Sequence, residues 1–263
     1  FMCLLMLTAS DFELLALIAV MVARQGTGVL TSLAYLLAVY VVACLVHVGL
    51  VYGLILKLGL GLRWLPFIRG MISPMSVAVS TTSSSATLPV TTSALEMNLG
   101  VPRTVTGFVL PLGATINMDG TGVYLGVVTC FAARLAGVEL TATDYVTVIT
   151  TATLASIGAA GVPGGSLLMV GTVLQSLGLP MEVFGLVASV DRLADMARTC
   201  VNVTGDSVVA VWVARSSGQL DLEAYDRQGP TIEQSVSFDD SRLPVESLQQ
   251  DDGDASVPGT IDD

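Results

Sequence analysis

The chain has 263 residues, 52% of them hydrophobic and only 13% charged, with a mean hydropathy of +0.75. A soluble domain carries roughly 25% charged residues, and a globule of this length could not hide so much apolar surface from water; the composition excludes an ordinary soluble fold and makes lipid the expected surroundings. The net charge of −11 sits in the last segment: residues 216–263 hold 12 of the 22 acidic and 2 of the 11 basic residues, so no nucleic-acid partner is expected, and this stretch reads as a disordered, solvated tail.

The chain opens Phe1-Met2-Cys3, with no initiator Met at position 1 and no charged segment of a signal peptide; an N-terminally incomplete sequence is expected. A membrane-spanning helix needs about 20 predominantly apolar residues. Residues 10–24 and 28–58 supply two candidates, separated by Arg24-Gln25-Gly26-Thr27-Gly28. Cys3, Cys44, Cys130 and Cys200 lie in apolar stretches without metal-type spacing and read as small hydrophobes. His47, the single histidine, reads as a packed or interfacial side chain.

Residues 66–99 centre on Ser80-Thr81-Thr82-Ser83-Ser84-Ser85, with about a dozen moderately apolar residues on each side. A dozen helical residues cover roughly 18 Å of a hydrocarbon core about 30 Å thick. Residues 143–178 repeat the pattern around Ser156-Ile157-Gly158-Ala159-Ala160-Gly161-Val162-Pro163-Gly164-Gly165-Ser166. Short apolar half-helices around a Gly, Ser or Pro tip predict two re-entrant hairpins, because such tips survive at membrane depth only inside protein or beside a wet cavity.

Between the hairpins, residues 101–135 form a span interrupted by Thr115-Ile116-Asn117-Met118-Asp119-Gly120-Thr121. Asn, Asp and Gly together favour leaving the helix. An unwound turn would set free carbonyls beside the Asp119 carboxylate, a donor set suited to a hard cation. The last span, 181–215, carries Asp191, Asp195, Arg198, Asn202 and Asp206 at spacings of 4, 3, 4 and 4, one helix face. A charge at the bilayer centre costs at least about 2.5–3.5 kcal/mol, so this stripe must face partners, water or ligand. Arg198 and hairpin N–H groups suit carboxylates; Asp195 suits an amine; Asp119 and Asp206 suit metal cations. Lys57, Arg63, Arg69, Arg103 and Arg215 fall on one side and Arg24 and Arg134 on the other, which places the serine hairpin and the tail in the cytoplasm and the Gly-Pro hairpin outside.

The runs Ser83-Ser84-Ser85-Ala86-Thr87-Leu88-Pro89, Pro111 through Thr121, Ala155-Ser156-Ile157-Gly158 with Gly161-Val162-Pro163-Gly164, and Asp195 through Asp206 resemble the dicarboxylate/amino acid:cation symporter family over residues 10–215. The resemblance implies an all-α, multi-span integral membrane transporter core with two re-entrant hairpins and a broken helix. Residues 1–27 would be a scaffold-type helix, 28–215 a transport domain that moves elevator fashion, and 216–263 the tail. It implies a homotrimer in the cell inner (plasma) membrane, embedded in the lipid bilayer, with an acidic amino acid as substrate, Na⁺ as coupling ion and no other cofactor.

By the same resemblance, Arg198 and Thr121 would hold a side-chain carboxylate, and Asp195 and Thr199, with a carbonyl near Val162, the amino group. Asn202 and the backbone near Ser84 and Ser85 would hold the α-carboxylate, with Gly165 at the second tip. Sodium would draw on Gly113, Asn117, Asn202 and Asp206; on Thr115, Ser156, Ile157 and Ala159; and on Asn117 with Asp119. The family has four further helices before the first one here. Thr82 and Met196 stand where acidic-substrate members often carry a second arginine, which Arg192 would replace. Leu125 stands at the place of the proton-carrying glutamate of vertebrate-type members, which argues against proton co-transport by that route.

The expected activity is uptake of aspartate or glutamate with Na⁺. Neutral amino-acid and C4-dicarboxylate carriage are the alternatives, opposed respectively by Arg198 and by Asp195 as an amine partner. A passive anion channel lined by the same groups would conduct without sodium coupling. A serine hydrolase using Ser84 and His47 lacks a base and an orienting group in sequence, so no enzyme is expected.

Overall fold

The computed structural model describes residues 26–159 and 161–227, together with Ala16, Ala19 and Ala23, which are helical; the predicted span 10–24 lies largely outside the described residues. Every regular element among them is a helix. We number these α1 Gly28–Gly59, α2 Trp64–Thr81, α3 Ser84–Asn98, α4 Arg103–Ile116, α5 Asp119–Leu135, α6 Ala142–Ile157, α7 Leu167–Ser176, α8 Glu182–Ala188, α9 Asp191–Ser216 and α10 Leu222–Asp226.

Helix α9 is the axis. It packs against α1, α2, α3, α4, α5 and α8, and Val201 through Val208 are buried without a break. A helix buried on every face lies inside a protein, yet this one carries the charged stripe. The outside is the reverse. Leu45, Leu58, Met97, Phe108, Ile149, Leu154 and Leu168 are all more than half exposed. A polar interior under an apolar exterior would be unstable in water and is favoured in lipid. Helix α1 is the one described helix long and apolar enough to cross a membrane.

Local chemistry sets the breaks. Helix α2 ends where Thr82 turns left-handed at φ 49°, its N–H donating to the Ala78 carbonyl at 2.9 Å. Ser83 then caps α3 by accepting from the Ala86 N–H at 3.1 Å. Thus α2 and α3 are joined by two residues, and they pack along each other. Their lengths correct the sequence reading: α2 has 18 residues and α3 has 15, or about 27 and 22 Å at 1.5 Å per residue, not a dozen each. Pro74 and Pro89 lie inside these helices without ending them. Helices α6 and α7 flank the second tip with 16 and 10 residues.

The span predicted over 101–135 is two helices, broken at Asn117 and Met118, whose ψ angles of 67° and 61° leave the helical region. The span predicted over 181–215 is also two, α8 and α9, with Ser189 and Val190 between them. The tail begins later than expected. Residues 217–227 are folded, with α10 packed on α2 and α3, because Leu220 and Tyr225 within the acidic stretch are apolar enough to bury. The rest of the predicted tail lies outside the described residues. Cys44 is buried, Cys200 half-buried and Cys130 exposed, and all three are free thiols.

Candidate functional site

The stripe on α9 becomes a chain of ion pairs and hydrogen bonds. Asp191, Asp195, Arg198, Asn202 and Asp206 are each at most 5% exposed. Arg198 binds two carboxylates. Its Nη2 lies 2.8 Å from Asp195 Oδ1, and its Nη1 and Nη2 each lie 3.2 Å from Asp191 Oδ1. The Tyr124 ring covers the guanidinium at 4.4 Å, and the Tyr124 hydroxyl donates to Asp191 Oδ1 at 2.8 Å. Tyr40 stacks edge-on against Tyr124 and donates to the Gly120 carbonyl at 3.1 Å. A buried guanidinium is tolerable only when paired and hydrogen-bonded in this way.

Sequence reasoning places Asp195 and Arg198 on one face but gives Asp191 no role and misses Tyr124 and Tyr40. Asp191 was visible as the first member of the stripe. Tyr124 lies one turn beyond Thr121, and its contact with α9 has no local signal.

Both hairpin tips reach this stripe. Asp195 Oδ2 accepts from the Gly164 N–H at 2.9 Å, and Thr121 Oγ1 lies 3.0 Å from Ser166 Oγ. The tips also touch each other, since the Gly161 carbonyl accepts from Ser83 Oγ at 2.8 Å and from the Ser85 N–H at 3.2 Å. Between them Thr82, Ser84, Met118, Val162, Ser166, Asp195, Thr199 and Asn202 line a polar cavity of about 10 Å³, room for roughly one water. Of the predicted substrate residues, Ser84, Val162, Asp195, Thr199 and Asn202 line it, Thr121 and Arg198 are sealed beneath it, and Ser85 and Gly165 sit on the tips. Arg192 reaches not the stripe but the Thr82 hydroxyl.

The proposed cation ligands divide into three places. Asp206 Oδ1 accepts from Asn117 Nδ2 at 2.9 Å, and Asn202 Oδ1 from the Gly120 N–H at 2.8 Å. The absence of a side chain at Gly113 makes room for the Asp206 carboxylate, whose Cγ would lie 2.7 Å from a Cβ there. The Gly113 carbonyl accepts from the Asn117 N–H at 2.9 Å, and the carbonyls after it have no intrahelical partner beyond the break, so this corner offers a buried carboxylate, amides and carbonyls. Asp119 stands apart, one-third exposed, with the Tyr52 hydroxyl donating to it at 2.7 Å and His47 Nε2 3.7 Å away.

Tyr52 was not foreseen. It follows His47 by one π-helical turn, whose i to i+5 register brings the rings within 4.8 Å on the Asp119 side. In the third set, Thr115 and Ser156 donate to their own helix carbonyls, Ile157 is half exposed and Ala159 is buried. No cluster of three His, Cys, Asp or Glu side chains exists among the described residues; the oxygens available are of the kind hard cations accept.

Charge and amide groups inside, aliphatic side chains outside and a broken helix at the centre define a membrane protein with an ion-lined interior. The chain belongs to the sodium:dicarboxylate symporter family, whose model matches residues 4–216. It is 47% identical over 190 residues to an excitatory amino acid transporter of Caenorhabditis elegans, a match covering 71% of this chain and 38% of that protein. It is 42% identical over 193 residues to excitatory amino acid transporter 4 of Mus musculus, covering 73% and 34%. It is 39% identical over 180 residues to neutral amino acid transporter A of Bos taurus, covering 68% and 34%. The matches thus span between about a third and two fifths of the length of these relatives. The family and these relatives are transporters, not enzymes.

Proposed function

We propose that this chain forms the substrate- and ion-binding part of a Na⁺-coupled symporter for aspartate or glutamate in the plasma membrane. The observation that carries the reading is Arg198, sealed beneath the cavity between Asp191 and Asp195. The guanidinium is neutralised from both sides. An acidic amino acid would bring its side-chain carboxylate to Arg198 in place of Asp195, and its ammonium to the released Asp195 carboxylate. Asp191 and Tyr124 would keep Arg198 aimed during the exchange. The substrate's α-carboxylate would meet the N–H groups at Ser84 and Ser85 and the Asn202 amide.

The cavity is too small for an amino acid, so the tips must part for substrate to enter, which supports re-entrant hairpins acting as gates. Sodium would occupy the Asp206 corner, the Thr115–Ser156 shoulder and the Asp119 site. A cation at the Asp206 corner or the Asp119 site would offset the carboxylate charge there, and one at the Thr115–Ser156 shoulder would tie down the second tip. Residues 28–215 would move as a transport domain in a homotrimer, with residues 1–27 in the scaffold.

One relative is named a neutral amino acid transporter; the buried guanidinium favours an acidic substrate over a neutral one. The test is competition for sodium-dependent binding to the full-length protein by acidic and neutral amino acids. Removing one partner of a buried charge pair costs roughly 3–5 kcal/mol, or hundreds- to thousands-fold in affinity. Arg198→Ala should lose aspartate and glutamate binding by that factor and keep or gain binding of serine or alanine. An unchanged preference for acids would overturn the assignment.

A further inference from the structure

The family match ends at residue 216, yet the structure continues in a folded strap. Helix α9 is closed by Gly218, left-handed at φ 68°, while the Gln219 and Leu220 N–H groups donate to the Ala214 carbonyl at 2.9 and 3.1 Å. This turn redirects the chain across the base of the α2–α3 hairpin. There the Asp221 N–H donates to the Gly100 carbonyl at 3.0 Å, and the Tyr225 hydroxyl donates to the Arg63 carbonyl at 2.9 Å. Arg63 is the residue before α2 and Gly100 the second residue after α3.

The same eleven residues, 217–227, therefore grip both feet of one hairpin and are covalently continuous with the helix that carries the charged stripe. The grip is built. Asp221 caps α10 by accepting from the Glu223 and Ala224 N–H groups, each at 3.0 Å. Tyr225 is 1% exposed and Leu220 is 9% exposed. Gly100, at φ 65°, lets the strap approach so closely that a Cβ there would lie 2.5 Å from the Asp221 carbonyl. The Arg63–Asp226 pair at 3.5 Å is exposed on both sides and adds little.

We infer that residues 217–227 are a positioning strap that locks the base of the α2–α3 hairpin to α9, and so sets where the Ser83–Ser85 tip stands against the Asp195–Asn202 stripe. With the feet fixed, the hairpin and α9 form one frame, closed at the tip by the two-residue link. Movement of the serine tip then requires bending along α2 and α3. Releasing the strap lets the hairpin pivot as a lever whose far end, about 27 Å away along α2, is the tip. The inference rests on the proposed function only for what the tip binds.

The experiment is hydrogen exchange on the full-length protein in detergent without substrate, following the base peptides 60–64 and 98–102 and the tip peptide 82–87. A cut after Arg227 should leave all three unchanged. Tyr225→Phe keeps the buried ring and removes only the hydroxyl; it should speed exchange about three- to tenfold at the base and measurably at the tip. Gly100→Ala should do the same by a different route, and a cut after Ser216 should do so more strongly. If Tyr225→Phe and Gly100→Ala leave the tip at the wild-type rate, the strap is not a positioning element, whether or not the base loosens. Uptake does not enter the measurement, so a wrong substrate assignment leaves this result standing.

Discussion

Helix α4 contains two glycines in unlike surroundings, Gly107 and Gly113. In the structure a Cβ at Gly107 meets nothing within 4 Å of it, whereas one at Gly113 would lie 2.7 Å from Asp206 Cγ and 3.3 Å from Asp206 Cβ. The Asp206 side chain leans on α4 from α9 and is buried, so it has no open space into which to retreat. Gly113→Ala must push the carboxylate away from Asn117, breaking the 2.9 Å bond between them. Overpacking of this kind costs about 1–3 kcal/mol, and 1.4 kcal/mol is tenfold in an equilibrium constant. If Asp206 holds a coupling cation, the sodium concentration for half-maximal substrate binding should rise roughly 5- to 150-fold. Gly107→Ala should leave that concentration alone and stabilise α4 by up to about 1 kcal/mol, the ordinary gain of alanine in a helix. The assay is binding of labelled aspartate to the purified full-length protein across a sodium titration, with a thermal melt of each variant. If Gly113→Ala and Gly107→Ala titrate identically while both are folded, Asp206 is not a sodium ligand and the packing argument has no bearing on coupling.

Two further outcomes follow from the same geometry. Tyr52→Phe removes the hydroxyl that donates to Asp119 at 2.7 Å; a hydrogen bond to a charged group contributes about 1.5–3 kcal/mol, so sodium affinity should change by at least tenfold, and an unaltered titration would show that Asp119 is positioned without it. A Cβ at Gly161 must shift away from the Ala114 carbonyl oxygen, 2.6 Å off, but it would still face Ser85 Oγ, 3.0 Å away, so the pair Ser85→Cys and Gly161→Cys should cross-link on mild oxidation of the protein without substrate. Substrate should slow the reaction by parting the tips, and equal rates with and without aspartate would count against gating by these tips.

The stripe and the broken helix were legible in the sequence for a simple reason. Spacings of 4, 3, 4 and 4 project onto one helix face whatever surrounds it, and Asn117-Met118-Asp119-Gly120 leaves a helix on local preference alone. The partners of the stripe were not legible. Asp191 reads from spacing as merely another acid, and its use emerges only when Tyr124, 67 residues earlier, donates to it. The arms of the first hairpin read too short because the polar run Ser80–Ser85 stands in for helix ends, whereas α2 continues through Ser80 and Thr81 and α3 begins at Ser84. The strap was missed because net charge was averaged over a stretch in which Leu220 and Tyr225 do the packing. Composition describes a segment's mean environment, and docking depends on the exceptions.

The first of the two π-helical turns of α1, His47–Tyr52, has a mechanical consequence. It holds one residue more than an α turn would, and each residue in a helix advances the side chains by about 100° while adding about 1.5 Å of length. The turn thus stores angle almost without storing length. Were His47–Tyr52 to wind back to α geometry, the Tyr52 side would swing away from Asp119 while the ends of the helix barely moved. A helix embedded in lipid resists changes of length, which would drag apolar groups into water, far more than it resists rotation about its own axis. At Asp119, then, α1 would work as a dial rather than a piston, with the tyrosine hydroxyl as its pointer.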